Sequence, residues 1–170
     1  MNQKYSLMYD RWLVTNRMKW VKRSGKAEKC PFCEIAKGKK RKKFVLHETE
    51  KSIVMMNLYP YNTGHLLIFP KRHVESLNDL KKDEIEDISL LIVKSVRLLE
   101  KTLKPEGFNI GMNIGEISSA SVKHLHVHIV PRYKHDLGFM ELFSSTKVLP
   151  EPVESTYKRL KRYINILKTK

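Results

Sequence analysis

The stretch KHLHVHIVPR, Lys123 to Arg132, places three histidines on alternating positions of an otherwise apolar run. In a β-strand, successive side chains point to opposite faces, so residues two apart line the same face. We therefore predict a strand over residues 124–130, with His124, His126 and His128 on one face and apolar residues facing a core on the other. Because imidazole near pH 7 can act as a nucleophile, a base or a metal ligand, the row indicates a functional site.

The composition is typical of a soluble globular protein. Of the 170 residues, 41% are hydrophobic and 30% are charged, which suits a single domain with a sizeable core. No apolar run approaches the roughly 20 residues of a membrane span, and the N-terminus has no apolar signal core. Two cysteines three positions apart fit a reducing compartment better than a disulfide scaffold. We therefore expect a cytoplasmic protein without a membrane partner.

The net charge of +15 comes from 33 Lys and Arg against 18 Asp and Glu. Much of the excess lies in residues 17–43 and 158–170, so it belongs to flanking segments. Two interpretations stay open: attraction of a polyphosphate or nucleic acid, and a solvated lysine-rich surface. The sequence has neither a recognisable recognition helix nor a paired aromatic stacking surface. A nucleic-acid-binding module is therefore only an alternative to an enzyme.

The remaining pattern predicts an α+β domain. Strand-like apolar runs occupy five segments: 44–47, 53–56, 65–69, 108–113 and 124–130. Between residues 83 and 103 apolar side chains recur at helical spacing, and Pro105 with Gly107 ends that helix. We predict a five-stranded, largely antiparallel sheet with one long helix. Residues 1–29 are predicted as an N-terminal arm or helix, 30–150 as the globular domain, and 151–170 as a basic C-terminal helix that packs on the domain or extends it.

Three interpretations compete for the histidine row: histidines satisfied within the sheet, a catalytic zinc site built from the row, and a covalent nucleophile at the central histidine. The preceding segment NIGEISSAS, Asn113 to Ser121, supplies small residues, hydroxyls and accessible backbone N–H groups. Such groups donate to phosphoryl oxygens, and the histidine run contains no carboxylate. The pattern therefore favours phosphoryl chemistry.

The run HLHVHIV, His124 to Val130, resembles the His-φ-His-φ-His-φφ signature of the histidine triad (HIT) superfamily of nucleotide hydrolases and transferases. The similarity extends from about Cys30 to Pro150. The blocks NLYPYNTGHLLIFPKRH (57–73), GFNIGMNIG (107–115) and GFMELFSSTKVLP (138–150) resemble the branch that contains diadenosine tetraphosphate phosphorylases and hydrolases. The resemblance implies a HIT-like fold, an enzyme of that branch, and residues 30–150 as its HIT domain.

The resemblance also implies roles for the last two histidines of the row. His126 is expected to attack the α-phosphorus of a nucleoside polyphosphate, foremost diadenosine tetraphosphate, and to form a nucleotidyl-histidine that water or inorganic phosphate resolves. His128 is expected to donate to the phosphate and assist the leaving group. A nucleoside phosphoramidate is the alternative substrate. The positions expected to bind substrate are Asn57 at the ribose hydroxyls, Asn113 and Ser121 at the phosphates, and Ser119, Ser121 or Lys123 at the leaving group.

One position departs from the pattern of some relatives, which have a glutamine four residues before the first histidine of the triad. This chain has Ala120 there, which weakens an assignment to the dinucleoside triphosphate hydrolases. Near Asn57, Ile53 and Leu66 are candidates for a base pocket and equally for the core. His65 begins a strand, and we predict a structural role for it. The resemblance further implies a homodimer, and magnesium can accompany the substrate polyphosphate.

The pair Cys30-Pro-Phe-Cys33 has three interpretations: a redox pair, half of a zinc site, or two reduced buried thiols. A redox pair of the glutaredoxin type follows a buried strand, whereas residues 24–29 are polar and basic. Similar HIT proteins complete a structural zinc site with two histidines, which match His73 and His124. The resemblance therefore implies a structural zinc ion at Cys30, Cys33, His73 and His124.

Overall fold

The computed structural model describes residues 30–38, 43–118, 120, 122–134, 136, 149 and 151–169. Within them, five strands form one antiparallel sheet in the order β1-β2-β3-β5-β4. The strands are β1 (Val45–Glu48), β2 (Ser52–Met56), β3 (Leu66–Pro70), β4 (Gly107–Met112) and β5 (Val127–Arg132). The predicted arm, residues 1–29, lies outside the described residues.

In the described part of the chain, four α-helices accompany the sheet: α1 (Pro31–Ala36), α2 (Lys82–Leu103), α3 (Val153–Lys161) and α4 (Asn165–Lys168). The predicted α+β fold, an antiparallel five-stranded sheet with one long helix, is confirmed. The C-terminal segment is two helices separated by a turn at residues 162–164 rather than one helix. Among the described residues, no helix combines the length and the apolarity that a membrane crossing requires.

The long helix α2 covers one face of the sheet and forms the main core with it. Its buried apolar residues Ile88, Leu91 and Leu98 follow the helical period, and the first turn carries acidic side chains where the helix dipole favours negative charge. Leu160 of α3 and Leu167 of α4 are fully buried in the same cluster. The C-terminal helices therefore pack on this face of the domain.

A smaller cluster covers the opposite face of the sheet, beneath α1. Phe32 of α1 stacks on Phe69 of β3 with ring centroids 4.4 Å apart. Ile53 is fully buried in this cluster, whereas Leu66 is fully buried in the main core under α2. Neither of these base-pocket candidates is exposed, so both are core residues. Through Phe32, α1 is fixed on the sheet face that carries the functional residues.

The turn between β2 and β3 requires a glycine. Gly64 has φ +83°, and a Cβ atom there would lie 3.2 Å from Cδ2 of Leu99, a conformation and a space that suit glycine alone. In the same turn Asn62 is buried, and its Nδ2 donates to the carbonyl oxygen of Pro131 at 2.9 Å. These contacts hold the turn against β5 and so fix the position of His65, which follows Gly64 in the chain.

Candidate active site and metal cluster

The histidine row begins before the strand rather than within it. β5 starts at Val127, so the predicted strand is wrong at its N-terminal end. The strand starts late because the N–H of Leu125 donates to a loop carbonyl 2.7 Å away instead of pairing with β3. His124 and His126 therefore lie in an extended approach segment, and His128 lies in the strand.

His126 is held in one tautomer. It is 5% exposed, and its Nδ1 lies 2.7 Å from the carbonyl oxygen of His124. Because a carbonyl only accepts, Nδ1–H is the donor and the lone pair is on Nε2, to which no described residue hydrogen-bonds. Burial lowers the pKa of the His126 imidazolium, although the bond to His124 opposes the shift. The ring is therefore neutral at pH 7, as a nucleophile requires.

His128 is oriented by His65, for which we predicted only a structural role. Nε2 of His65 lies 2.9 Å from Nδ1 of His128. The backbone N–H of Tyr61 donates to Nδ1 of His65 at 3.0 Å, so a neutral His65 carries its proton on Nε2 and donates it to His128. His128 consequently carries its own proton on Nε2. Its ring centroid lies 4.7 Å from that of His126.

Asn57 joins this network at the end of β2. Its Oδ1 accepts the backbone N–H of Tyr59 at 2.9 Å, and its Nδ2 lies 3.3 Å from Nδ1 of His65. The structure thus brings the predicted ribose-binding residue into contact with His65, which in turn contacts His128. Beside it, Leu58 is 50% exposed and offers an apolar surface.

Two of the other predicted substrate contacts lie along a neighbouring cleft. Asn113 and Lys123 line a cavity of about 250 Å³ that also borders the first histidine of the row. Ala120, where some relatives have glutamine, lines the same cavity. Ser119 and Ser121 lie outside the described residues, so their contacts stay predictions.

The four predicted metal ligands lie close together in the structure. The ligand atoms of Cys30, Cys33, His73 and His124 all lie within 4.8 Å of one another. Nδ1 of His124 lies 3.3 Å from Sγ of Cys30 and 3.6 Å from Sγ of Cys33. Tetrahedral zinc, with Zn–S of about 2.3 Å and Zn–N of about 2.0 Å, separates such atoms by about 3.5 Å. The four residues are therefore close enough to bind a metal, and the donor set fits zinc.

Both histidines of this metal cluster are turned toward the sulfurs by a partner on their other nitrogen. Nε2–H of His124 donates to the carbonyl oxygen of Pro70 at 2.9 Å, and Nε2 of His73 lies 3.3 Å from a carboxylate oxygen of Glu75. Such partners leave the Nδ1 lone pair for a metal. Burial lowers the pKa of His124 to about 4 and raises that of Cys33 to about 11. A bound divalent cation would reverse the second shift.

Comparisons with known proteins agree with this geometry. Residues 38–135 match the HIT domain family. The chain is 35% identical over 131 residues to an AP-4-A phosphorylase of Mycobacterium tuberculosis, covering 76% of this chain and 67% of that one. It is 31% identical over 126 residues to an adenosine 5'-monophosphoramidase of Schizosaccharomyces pombe, covering 74% and 91%.

Among solved structures, a zinc-bound histidine triad family protein from Mycobacterium smegmatis is similar, with a TM-score of 0.68 and 26% identity. The similarity covers 82% of this chain and 95% of that one. These matches confirm the resemblance carried by the histidine motif. The chain therefore belongs to the HIT family of nucleotide hydrolases and transferases.

Proposed function

We propose that this enzyme transfers the nucleotidyl group of diadenosine tetraphosphate through a nucleotidyl-His126 intermediate. One observation carries the proposal: the bond from Nδ1–H of His126 to the carbonyl of His124 leaves Nε2 as an unprotonated nucleophile. The choice of substrate is supported by the name of the mycobacterial relative, AP-4-A phosphorylase.

In the first step, the Nε2 lone pair of His126 forms a bond to the α-phosphorus, and the bond from that phosphorus to the bridging oxygen breaks. Nε2–H of His128, a tautomer that His65 supports, donates a hydrogen bond to this oxygen, and the polyphosphate leaves as an anion while His128 stays neutral. In the second step, water or inorganic phosphate attacks the phosphorus, and the N–P bond breaks. The electron pair of the N–P bond returns to Nε2 of His126, a proton of an attacking water passes to solvent, and both histidines are again neutral.

Substrate contacts follow from position along the site. We assign Asn57 and the exposed Leu58 to the nucleoside, because Asn57 contacts His65, the partner of His128, and Leu58 is the next residue of the chain. Asn113, with Ser119 and Ser121, is assigned to the phosphates, and Lys123 to the leaving polyphosphate; the cavity that Asn113 and Lys123 share supports this assignment. Magnesium enters the proposal only as a counterion of the polyphosphate.

We also propose that the metal cluster binds structural zinc. Zinc at Cys30, Cys33, His73 and His124 would supply a cross-link between α1, the loop after β3 and the approach to β5. The two thiols are free of disulfides. Free thiols suit a reducing compartment, so a cytoplasmic location is part of the proposal.

A homodimer through the edge strand β4 is the third part of the proposal. The outer edge of β4 pairs with no strand among the described residues. Ile110 of β4 and Leu90 and Val93 of α2 are each nearly half exposed, and a two-fold contact would bury them. Light scattering should give a dimer for the wild type and a monomer for Ile110→Lys. A monomeric wild type would contradict this part alone.

The test of the reaction is incubation with diadenosine tetraphosphate, with and without inorganic phosphate. Attack at the α-phosphorus gives ADP and ATP by phosphorolysis, and AMP and ATP by hydrolysis. Two ADP molecules per substrate would indicate cleavage at the β-phosphorus and would contradict the proposal, as would the absence of turnover.

A nucleoside phosphoramidate is the second candidate substrate, favoured by the phosphoramidase from Schizosaccharomyces pombe. It offers the same α-phosphorus to His126 but releases a small amine in place of a polyphosphate. The ratio of kcat/KM for the two substrates decides between them, because binding energy from a polyphosphate leaving group is available only to the tetraphosphate.

A further inference from the structure

We propose that the segment Cys30–Cys33 and the side chain of His124 position His126, so that the metal cluster sets the geometry and tautomer of the nucleophile as well as anchoring the fold. The inference rests on the proposed function of His126. Cys30, Phe32, Cys33 and His124 are positioning residues in this account, since each acts through His126 and none contacts the substrate.

The first link runs through His124 itself. Its ring is 1% exposed and is held on both nitrogens, by the carbonyl of Pro70 at 2.9 Å and by the sulfurs of the metal cluster, the nearer at 3.3 Å. The carbonyl of the same residue accepts Nδ1–H of His126 at 2.7 Å. One residue supplies both the anchored ring and the accepting carbonyl, so releasing the ring removes one of two anchors of that peptide unit; the other is the bond from the N–H of Leu125 to the carbonyl of Val74.

The second link is Phe32, which lies between the two cysteines. Its ring contacts the ring of His126 edge-on, with centroids 5.1 Å apart and an interplanar angle of 64°. It contacts His124 in the same way, with centroids 5.6 Å apart at 86°. Helix α1 has six residues and no side-chain cap at its N-terminus, so it is too short to be stable by itself. The sulfur ligands at its start therefore help to hold Phe32 against the nucleophile.

These two links distinguish the cluster from a remote structural anchor. A remote anchor would change the stability of the fold and leave the reacting atoms in place. Here the route from sulfur to nucleophile is one residue long, and a displacement of about 1 Å at a reacting atom can cost about 100-fold in rate. Loss of the metal should therefore lower kcat by about 10- to 100-fold. Substrate KM should change by less than about threefold, because Asn57 at the end of β2 and Asn113 after β4 lie outside the segments that carry the ligands.

The test uses two substitutions of His73. This ligand is exposed, and its hydrogen bonds and ring contacts with the described residues do not include His126. His73→Ala removes one ligand, whereas His73→Cys keeps four and should retain zinc. We expect His73→Ala to lose zinc and 10- to 100-fold in kcat, and His73→Cys to restore both. A zinc-free His73→Ala with the kcat of the wild type would overturn the proposal.

A second readout does not depend on turnover. In the ¹⁵N NMR spectrum of the wild type, Nδ1 of His126 should appear protonated and Nε2 bare. In zinc-free His73→Ala the two resonances should approach each other, since the tautomers mix once the His124 carbonyl moves. Unchanged resonances in the zinc-free variant would overturn the proposal even if kcat fell. If the wild type forms no nucleotidyl intermediate, the proposed function fails, but this spectrum still tests the positioning.

Two further variants separate positioning from lost stability. Leu160→Ala opens a cavity in the main core, on the opposite face of the sheet, at a cost of about 2–5 kcal/mol in free energy of unfolding. It should leave the His126 resonances and kcat unchanged at temperatures where it is folded. Phe32→Leu keeps all four ligands but removes the ring contact, so it should retain zinc and lower kcat. A kcat loss in Leu160→Ala equal to that in His73→Ala would assign the effect to stability and contradict the proposal.

Discussion

His124 of the metal cluster and the reactive pair of His126 and His128 lie side by side on one short segment, yet the three rings have different surroundings. His124 has both nitrogens engaged, one by a carbonyl and one by sulfurs. His126 has one nitrogen engaged by a carbonyl, and no described residue bonds to the other. The role of each imidazole therefore depends on its hydrogen-bond partners, since His124 and His126 are the same residue type on the same alternating pattern.

The partners differ because two separate parts of the fold meet at the row. Helix α1 brings two sulfurs and Phe32 to its beginning, and the turn before β3 brings His65 to its end. His126 lies between them and contacts the first through Phe32 and the second through His128. A variant in the first region should therefore lower metal content and, through His126, kcat, whereas a variant in the second region should lower kcat and leave metal content unchanged.

The largest contrast is expected at His126. His126→Ala removes the nucleophile and should lower kcat for diadenosine tetraphosphate by at least about 10³-fold while zinc content stays at the wild-type level. His47→Ala in β1 is the matched control, because it changes the same residue type outside both regions; its kcat should stay near that of the wild type. If His126→Ala retained substantial turnover, the assignment of His126 as the nucleophile would be wrong.

Cys30→Ser tests the metal cluster. The variant should lose zinc, and its thermal unfolding should no longer respond to added zinc. The wild type at a zinc concentration of 100 times Kd should gain about 2.7 kcal/mol in free energy of unfolding. Metal analysis and calorimetry check both points. A wild type purified without chelators that holds less than about a tenth of an equivalent of zinc would refute the assignment.

His65→Ala tests how His128 assists the leaving group. Without the donor on Nδ1 of His128, the proton of His128 is no longer fixed on Nε2, so kcat for diadenosine tetraphosphate should fall by about tenfold or more. The p-nitrophenyl ester of AMP has a leaving group that needs little protonation, and its turnover should fall much less. Equal losses for the two substrates would show that His65 acts only on the structure.

The smallest effect is expected at the edge of the site. Lys123→Ala should raise KM for diadenosine tetraphosphate by about threefold at low ionic strength and by less at high salt, because salt screens an exposed charge. The KM for a nucleoside phosphoramidate should not change, since that substrate has no polyphosphate leaving group. A salt-independent change for both substrates would remove Lys123 from the leaving-group contacts.

The sequence predicted the fold well because the apolar periods of its segments differ sharply. The long helix was predicted from residue 83 and begins at Lys82, and four of the strands lie within one residue of their predicted bounds. The start of β5 could not be predicted, because alternation continues through His126 although pairing with β3 begins only at Val127. Where a ladder begins depends on the partner strand.

Some of the functional residues could be predicted from the sequence, and one could not. The metal ligands and the histidine pair carry local motifs, so sequence and family resemblance were sufficient to propose them. His65 carries no motif of its own, and its contact with His128 spans 63 positions of the chain. Only the folded chain brings such residues together, and a single histidine after a glycine turn does not distinguish a core residue from one that orients a proton donor.

The most direct test of the central claim is to trap the intermediate. Enzyme mixed with diadenosine tetraphosphate in the absence of phosphate, quenched in alkali and digested, should yield the peptide spanning His124 to Arg132 with one adenylyl group. Fragmentation in the mass spectrometer should assign that group to His126. An adenylyl group on His124 or His128, or rapid turnover with no adenylated peptide at any time, would contradict the account.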